Sequence, residues 1–144
     1  MTEDRTLRTS RTLPFSAKDI YGAFASANLL ASWWGPEGFS NSFEIFEFVT
    51  GGRWNFVMHS PDGKNYSNEC IFEELLPNSK VVIHHDCAPK FKLTIKLTPE
   101  EKGTCLSWEQ VFEDAETAQA VKQRAGSANE ENIDKLVRVL SANL

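Results

Sequence analysis

No run of apolar residues in this chain is long enough to cross a bilayer, and the opening MTEDRTLRTSRTL contains no apolar core of export-signal length. A basic surplus is missing as well. Fifteen Lys and Arg stand against 20 Asp and Glu, giving a net charge of -5 and a pI near 5.2. That balance excludes a duplex nucleic-acid binder that works through a basic face, and no block of like charges offers a polybasic membrane patch. Cysteine is scarce: Cys70, Cys87 and Cys105 lie far apart, and three thiols cannot all pair within one chain. Without an export signal they are expected as free thiols of a cytoplasmic protein, serving as small core residues. Neither Cys-x-x-Cys nor His-x-x-x-His spacing occurs, so no metal and no cofactor is expected. No Ser-His-Asp ordering or phosphate-binding loop stands out. Repeats, low-complexity tracts and linkers are absent too, which leads us to expect a single domain over residues 1–144.

What the chain does have is aromatic mass and clear periodicity. Phe, Trp and Tyr make up 11% of a 144-residue sequence, enough to fill a core or line a pocket. Residues 5–13 alternate weakly, with Leu7 and Leu13 on one parity, and Pro14 closes them as a first strand. Ser16, with Asp19 three positions on, is expected to cap a helix that presents Ile20, Ala23, Phe24 and Ala27 on one face. Asn28 is expected to break that helix, and a further short helical stretch then ends at Gly35-Pro36. Six strand-like segments follow, at 41–49, 52–60, 65–75, 80–86, 90–97 and 104–112, joined by short turns that predict an antiparallel meander. The plainest alternation sets Phe91, Leu93, Ile95 and Leu97 against Lys90, Lys92, Thr94 and Lys96, one dry face and one wet. From Asp114 onward Ala118, Val121, Ala125, Ile133, Leu136 and Leu140 trace a long amphipathic helix. Asn129 interrupts its stripe, and Gly126-Ser127 is expected to bend or interrupt the helix itself. A sheet of this kind cannot leave its apolar face open, and the terminal helix is its natural cover.

The segments WWGPEGFSN, FEFVTGGRWNFVMHSPDG, FEELLPNSKVV and ANEENIDKLVRVL, kept in this order, resemble the activator of heat-shock-protein-90 ATPase homologues. That family lies in the SRPBCC (START-like) superfamily, and the resemblance runs from about Thr9 to Leu140. It implies an α+β helix-grip fold: a curved antiparallel sheet of about seven strands around a long C-terminal helix, with two short helices after the first strand. A cavity between sheet and helix, and a stress-related role, are further implications. One departure is visible. Where members often carry Asp-x-Arg before the Gly-Gly turn, this chain has Glu47-Phe48-Val49.

Two stripes bound the expected cavity. Trp54, Phe56 and Met58 share one parity of a strand, and Trp108 and Gln110 share another with Thr104, Leu106 and Phe112. Gln110 and Asn129 are amides on otherwise apolar stripes, so they bond to each other, to backbone or to water, or they face a ligand. Replacing Asn129 with Leu is expected to stabilise the empty protein. Of the adjacent indoles, one is expected to seal the core and the other, Trp34, to stand at the cavity mouth, its place implied by the helix-grip resemblance. The candidate ligand-binding residues are therefore Trp34, Trp54, Phe56, Met58, Trp108, Gln110 and Asn129, with no catalytic residue assigned. His84 and His85 point to opposite faces of one strand, so one of them reaches the interior.

The leading expectation is a non-catalytic binding protein that holds a small apolar or amphipathic molecule between sheet and helix. The alternatives are a cyclase- or hydrolase-type enzyme using an interior His or Glu, and a co-chaperone-like protein acting through its surface. A homodimer is compatible with each reading, and the family resemblance adds a chaperone contact; nucleic acid and membrane are not expected partners.

Overall fold

The computed structural model describes residues 3–143. A short helical turn, Glu3–Arg5, leads into β1 (Thr6–Leu13). Two helices follow, α1 (Ala17–Ala25) and α2 (Ala27–Trp33). The strands β2 (Ser40–Phe46), β3 (Arg53–His59), β4 (Asn65–Leu76), β5 (Lys80–His85), β6 (Phe91–Glu100) and β7 (Gly103–Phe112) then run without a helix between them, and α3 (Ala115–Asn143) closes the chain.

Local chemistry explains the breaks. Ser16 accepts the amide of Asp19 and caps α1, as its spacing implies. The break after α1 falls at Ser26 rather than at Asn28. Ser26 is in extended conformation, closes α1 through its own amide, and caps α2 by accepting the amide of Leu29 at 3.2 Å. A hydroxyl that satisfies an orphan N–H at the start of a helix outcompetes a mid-turn asparagine as a breakpoint. Ala27 consequently opens α2 instead of completing the α1 face.

All seven strands pair antiparallel in the order β1-β7-β6-β5-β4-β3-β2. Register shifts between Phe43 and Ile45, and between Phe72 and Glu74, mark bulges that bend one wing of the sheet. The alternation along β6 emerges as read: Leu93, Ile95 and Leu97 are buried, while Lys90, Lys92 and Lys96 are exposed. Strand β6 runs three residues past Leu97, through Pro99, because Pro99 and Glu100 pair with Thr104 and Gly103 in the closing hairpin.

Helix α3 runs unbroken through Gly126 and Ser127, contrary to the expected interruption. One glycine costs a helix only about 1 kcal/mol, and the packing of the turns beyond it offsets that. Ile133, Leu136 and Leu140 enter the core beside Ile95 and Leu106. Each large side chain so buried contributes about 1.5–3 kcal/mol. Val121 and Ala125 depart from the expected stripe: they are half-buried and line an open groove with Pro36 and Phe39 instead of entering the core. The sheet curls over the C-terminal half of α3 and leaves its N-terminal half as a flank.

Candidate functional site

The chain turns sharply where α2 ends. Trp34 is the C-cap, and Gly35 follows at φ +95°, a conformation that disfavours any side chain with a Cβ. A Cβ there would also lie 2.7 Å from the Met58 methyl. Asn41 on β2 donates to the carbonyls of Ala31 and Trp34 at 3.1 and 2.9 Å, satisfying acceptors that the end of α2 leaves open. From the other side α3 grips the same loop. Lys135 Nζ donates to the carbonyls of Pro36 and Phe39, both at 3.3 Å, and Glu131 accepts the amide of Glu37 at 3.0 Å. Burial holds the Lys135 pKa below its ordinary value, with the nearby carboxylate of Glu37 opposing that shift.

The two adjacent indoles touch edge-on at 5.5 Å and take different roles. Trp33 is fully buried and donates Nε1–H to the carbonyl of Ala23 at 3.1 Å, sealing the core between α1 and α2. Trp34 turns to the other side, its ring stacked on Trp108 at 5.9 Å and edge-on to Trp54 at 5.1 Å.

Beneath Trp34, Gly35 and Pro36 lies a cavity of about 240 Å³ between the inner sheet face and α3. Phe56 and Met58 line it from β3, Asn68 and Cys70 from β4, and Ile83 and His85 from β5. Phe91 and Leu93, Trp108 and Gln110, and the helix residues Asn129 and Asn132 complete the wall. Six of the seven residues singled out in the sequence thus come together here. Trp54 does not. It is fully buried, stacked between Phe56 at 4.3 Å and Phe72 at 5.6 Å, in the aromatic packing beside the cavity. Its strand parity is right, but it sits at the Gly-Gly end of β3, where Phe43, Phe46 and Phe72 fill the space.

Among the described residues that line it there is no Asp, Glu, Lys or Arg, and His85 is the one titratable nitrogen group. Asn129 Nδ2 donates to Gln110 Oε1 at 3.1 Å, so the two amides on apolar stripes are mutual partners. Two other groups are left over. Trp108 Nε1 and Asn132 Oδ1 are buried with no hydrogen-bond partner, one a donor and one an acceptor, and both residues line this cavity.

The family model for "Activator of Hsp90 ATPase homolog 1-like protein" matches residues 14–141. The chain belongs to this family. Its fold recurs in a crystal structure from Nitrosomonas europaea, 17% identical with a TM-score of 0.90, covering 100% of this chain and 99% of that one. A solution structure from Arthrobacter aurescens is 22% identical, also with a TM-score of 0.90, over 99% of this chain and 89% of that one. An AHSA1-like protein from Aeromonas hydrophila is 16% identical with a TM-score of 0.78, over 96% and 93%. No functionally curated protein gives a significant match. These likenesses establish a helix-grip fold of the family type.

The candidate ligand-binding residues did not include Asn68, Cys70, His85 and Asn132, although one of His84 and His85 was expected inside and Cys70 in the core. Two of them carried a signal. Asn132 lies three residues after Asn129, on the same helix face. His85 shares the parity of Ile83 and Val81, both buried, which marks it as the interior histidine of the pair. His84 faces outward, 3.6 Å from Asp86. The ring of His85 stacks flat on Phe91 at 4.5 Å, and burial draws its pKa below the ordinary value, opposed by the hydrogen bond to the Pro89 carbonyl. Burial likewise pushes the Cys70 thiol far up.

Proposed function

We propose that this protein binds a small amphipathic molecule in the cavity between its sheet and α3, in the cytoplasm, where its three unpaired thiols would persist. The observation that carries this reading is the cavity itself, whose lining residues include Trp108 and Asn132, each with a buried polar atom that has no partner among the described residues. A buried donor or acceptor without a partner costs about 1–3 kcal/mol, so a ligand that satisfies both has a free-energy advantage over an inert filler. The complementary head is a neutral group that both accepts and donates, such as an alcohol or a primary amide, because no charged Asp, Glu, Lys or Arg awaits it. Its tail meets Phe56, Met58, Ile83 and Leu93, and Met58 supplies an adaptable surface.

Burying about 200 Å² of apolar ligand surface contributes about 5 kcal/mol before the costs of association. Two hydrogen bonds to otherwise unpaired groups add about 1–3 kcal/mol each, and the costs of association are set against that sum. Titration with decanol and with decanamide should quench tryptophan emission, through Trp34 and Trp108, and raise the melting temperature. Decane should do so more weakly. Trp108→Phe should reduce the advantage of decanol over decane by about fivefold to thirtyfold in Kd, while leaving decane binding in place. If none of these compounds moves either signal, the reading is wrong.

A further inference from the structure

The face of the sheet that turns away from the cavity carries a row of hydrogen-bonded side chains drawn from β2, β3 and β4. Phe43, Met58 and Cys70 pack inward on these strands, and side chains alternate along a strand, so Ser42, His59 and Asn65 share the outer face. Asn65 pairs directly with His59, while Ser42 stands diagonally across from it, next to Asn41 and two places from Ser40, the direct partner of His59. Ser42 Oγ lies 2.7 Å from His59 Nε2, and His59 Nδ1 lies 2.7 Å from Asn65 Oδ1. A side-chain amide oxygen can only accept, so Nδ1 carries the ring proton and Nε2 turns its lone pair to the Ser42 hydroxyl. That is the tautomer a general base requires. The ladder between the strands fixes the three backbones, which holds the row more firmly than a loop would.

We infer that Ser42, His59 and Asn65 form a catalytic site for acyl transfer from activated carboxylic esters, with Ser42 as nucleophile, His59 as general base and Asn65 as the positioning residue of the base. The site lies across the sheet from the cavity and does not rest on the ligand-binding reading. Its exposure decides the substrate class. An open site leaves the developing oxyanion to solvent, so the ester must carry a leaving group that departs without a proton, as an aryl oxide does. Val57, directly opposite Ser42 and half-buried, is the apolar neighbour for a short acyl chain.

In the first step Ser42 Oγ bonds to the acyl carbon as its proton passes to His59 Nε2. The bond to the leaving group breaks, and the aryl oxide takes the electron pair. The imidazolium then gives its proton to solvent. In the second step the neutral ring takes a proton from the attacking water and returns it to Ser42 Oγ as the acyl group leaves as the carboxylic acid. The sum is hydrolysis of the ester, with water as the only co-reactant.

The full chain is mixed with p-nitrophenyl butyrate and the release of p-nitrophenolate is followed. In a parallel sample diisopropyl fluorophosphate is added; Ser42 Oγ attacks its phosphorus with loss of fluoride, and peptide mass spectrometry locates the adduct. Ser32 is the internal control, an exposed serine whose hydroxyl donates to the carbonyl of Leu29 at 2.6 Å instead of to a base. Ser42 should be labelled and Ser32 should not. Ser42→Ala and His59→Gln should each slow p-nitrophenolate release at least about tenfold, the low end of what a general base supplies. Asn65→Leu should slow it as well, whereas Asn65→Asp, which also accepts from Nδ1–H, should restore it. A row of merely structural hydrogen bonds would show no such rescue. Labelling of Ser42 no greater than that of Ser32 in the wild-type chain overturns the inference, and that result requires no variant to fold. Release by Ser42→Ala at the wild-type rate overturns it equally.

Discussion

Trp33 and Trp34 lie in one core cluster and touch edge-on at 5.5 Å, yet only Trp34, the extended C-cap of α2, reaches the cavity. One fills the core, and the other roofs a cavity because Gly35 lets the chain turn beneath it. The amide pair shows how much a single partner matters. In the sequence, Asn129 reads as a polar residue whose replacement by Leu would stabilise the protein. In the structure it is the donor to Gln110 Oε1, and Gln110 is buried. Removing it strands an acceptor, so Asn129→Leu should now destabilise by about 1–3 kcal/mol in urea unfolding. The double change Gln110→Leu with Asn129→Leu should recover most of that loss, because both ends of the hydrogen bond go together. A stabilising single change would mean that water or relaxation already satisfies Gln110.

Among elements, the contact between α3 and the loop after α2 is the one that shapes the cavity mouth. Lys135→Met leaves the carbonyls of Pro36 and Phe39 without their donor and should cost about 1–3 kcal/mol, with a change in the environment of Trp34 visible in emission. Arg138→Ala, which removes an exposed ion pair with Glu37, should leave the unfolding midpoint unmoved. The lysine also has a pH signature. Its folded pKa lies below the ordinary 10.5, so between the two values the unfolded chain binds more protons than the folded one. Stability from this group therefore rises as pH climbs through that alkaline window, and Lys135→Met should abolish the rise. A second element boundary is steric. A Cβ on Gly52 would sit 2.0 Å from the carbonyl oxygen of Glu47, backbone against backbone, and Gly52→Ala should cost at least about 2 kcal/mol in thermal unfolding. The neighbouring Glu47 already serves this turn, its carboxylate accepting the amide of Arg53 at 2.9 Å, so the Glu47-Phe48-Val49 sequence is built into local structure.

At the scale of the whole molecule, strand identity was legible because period-two alternation survives wherever one sheet face is dry. The alternating strand β6 and the pairing of neighbours through short turns needed nothing beyond local sequence. What sequence alone could not resolve were choices settled by tertiary contacts: which serine or asparagine ends α1, how deep along β3 the cavity begins, and how far along α3 the sheet reaches. Residue type does not encode those distances. The last of them has a measurable consequence. Between Ala115 and Glu131 only Ala118 is buried, whereas Asn132, Ile133, Lys135, Leu136 and Leu140 are all buried further on. Opening the N-terminal half of α3 exposes little apolar surface, and opening the remainder breaches the core. Native-state hydrogen exchange should therefore show two tiers, with amides of 119–127 exchanging well below the global unfolding free energy and those of 136–140 exchanging only near it. Asn129 and Asn132 stand at the boundary and line the cavity. A bound amphipath that engages Asn132 should raise protection across 129–133 by the factor its occupancy sets, up to about one hundredfold at a hundred times its Kd, while 119–124 stay unprotected. Uniform protection along the whole helix would show that α3 opens as one unit, and that its exposed flank is held by more than the contacts described here.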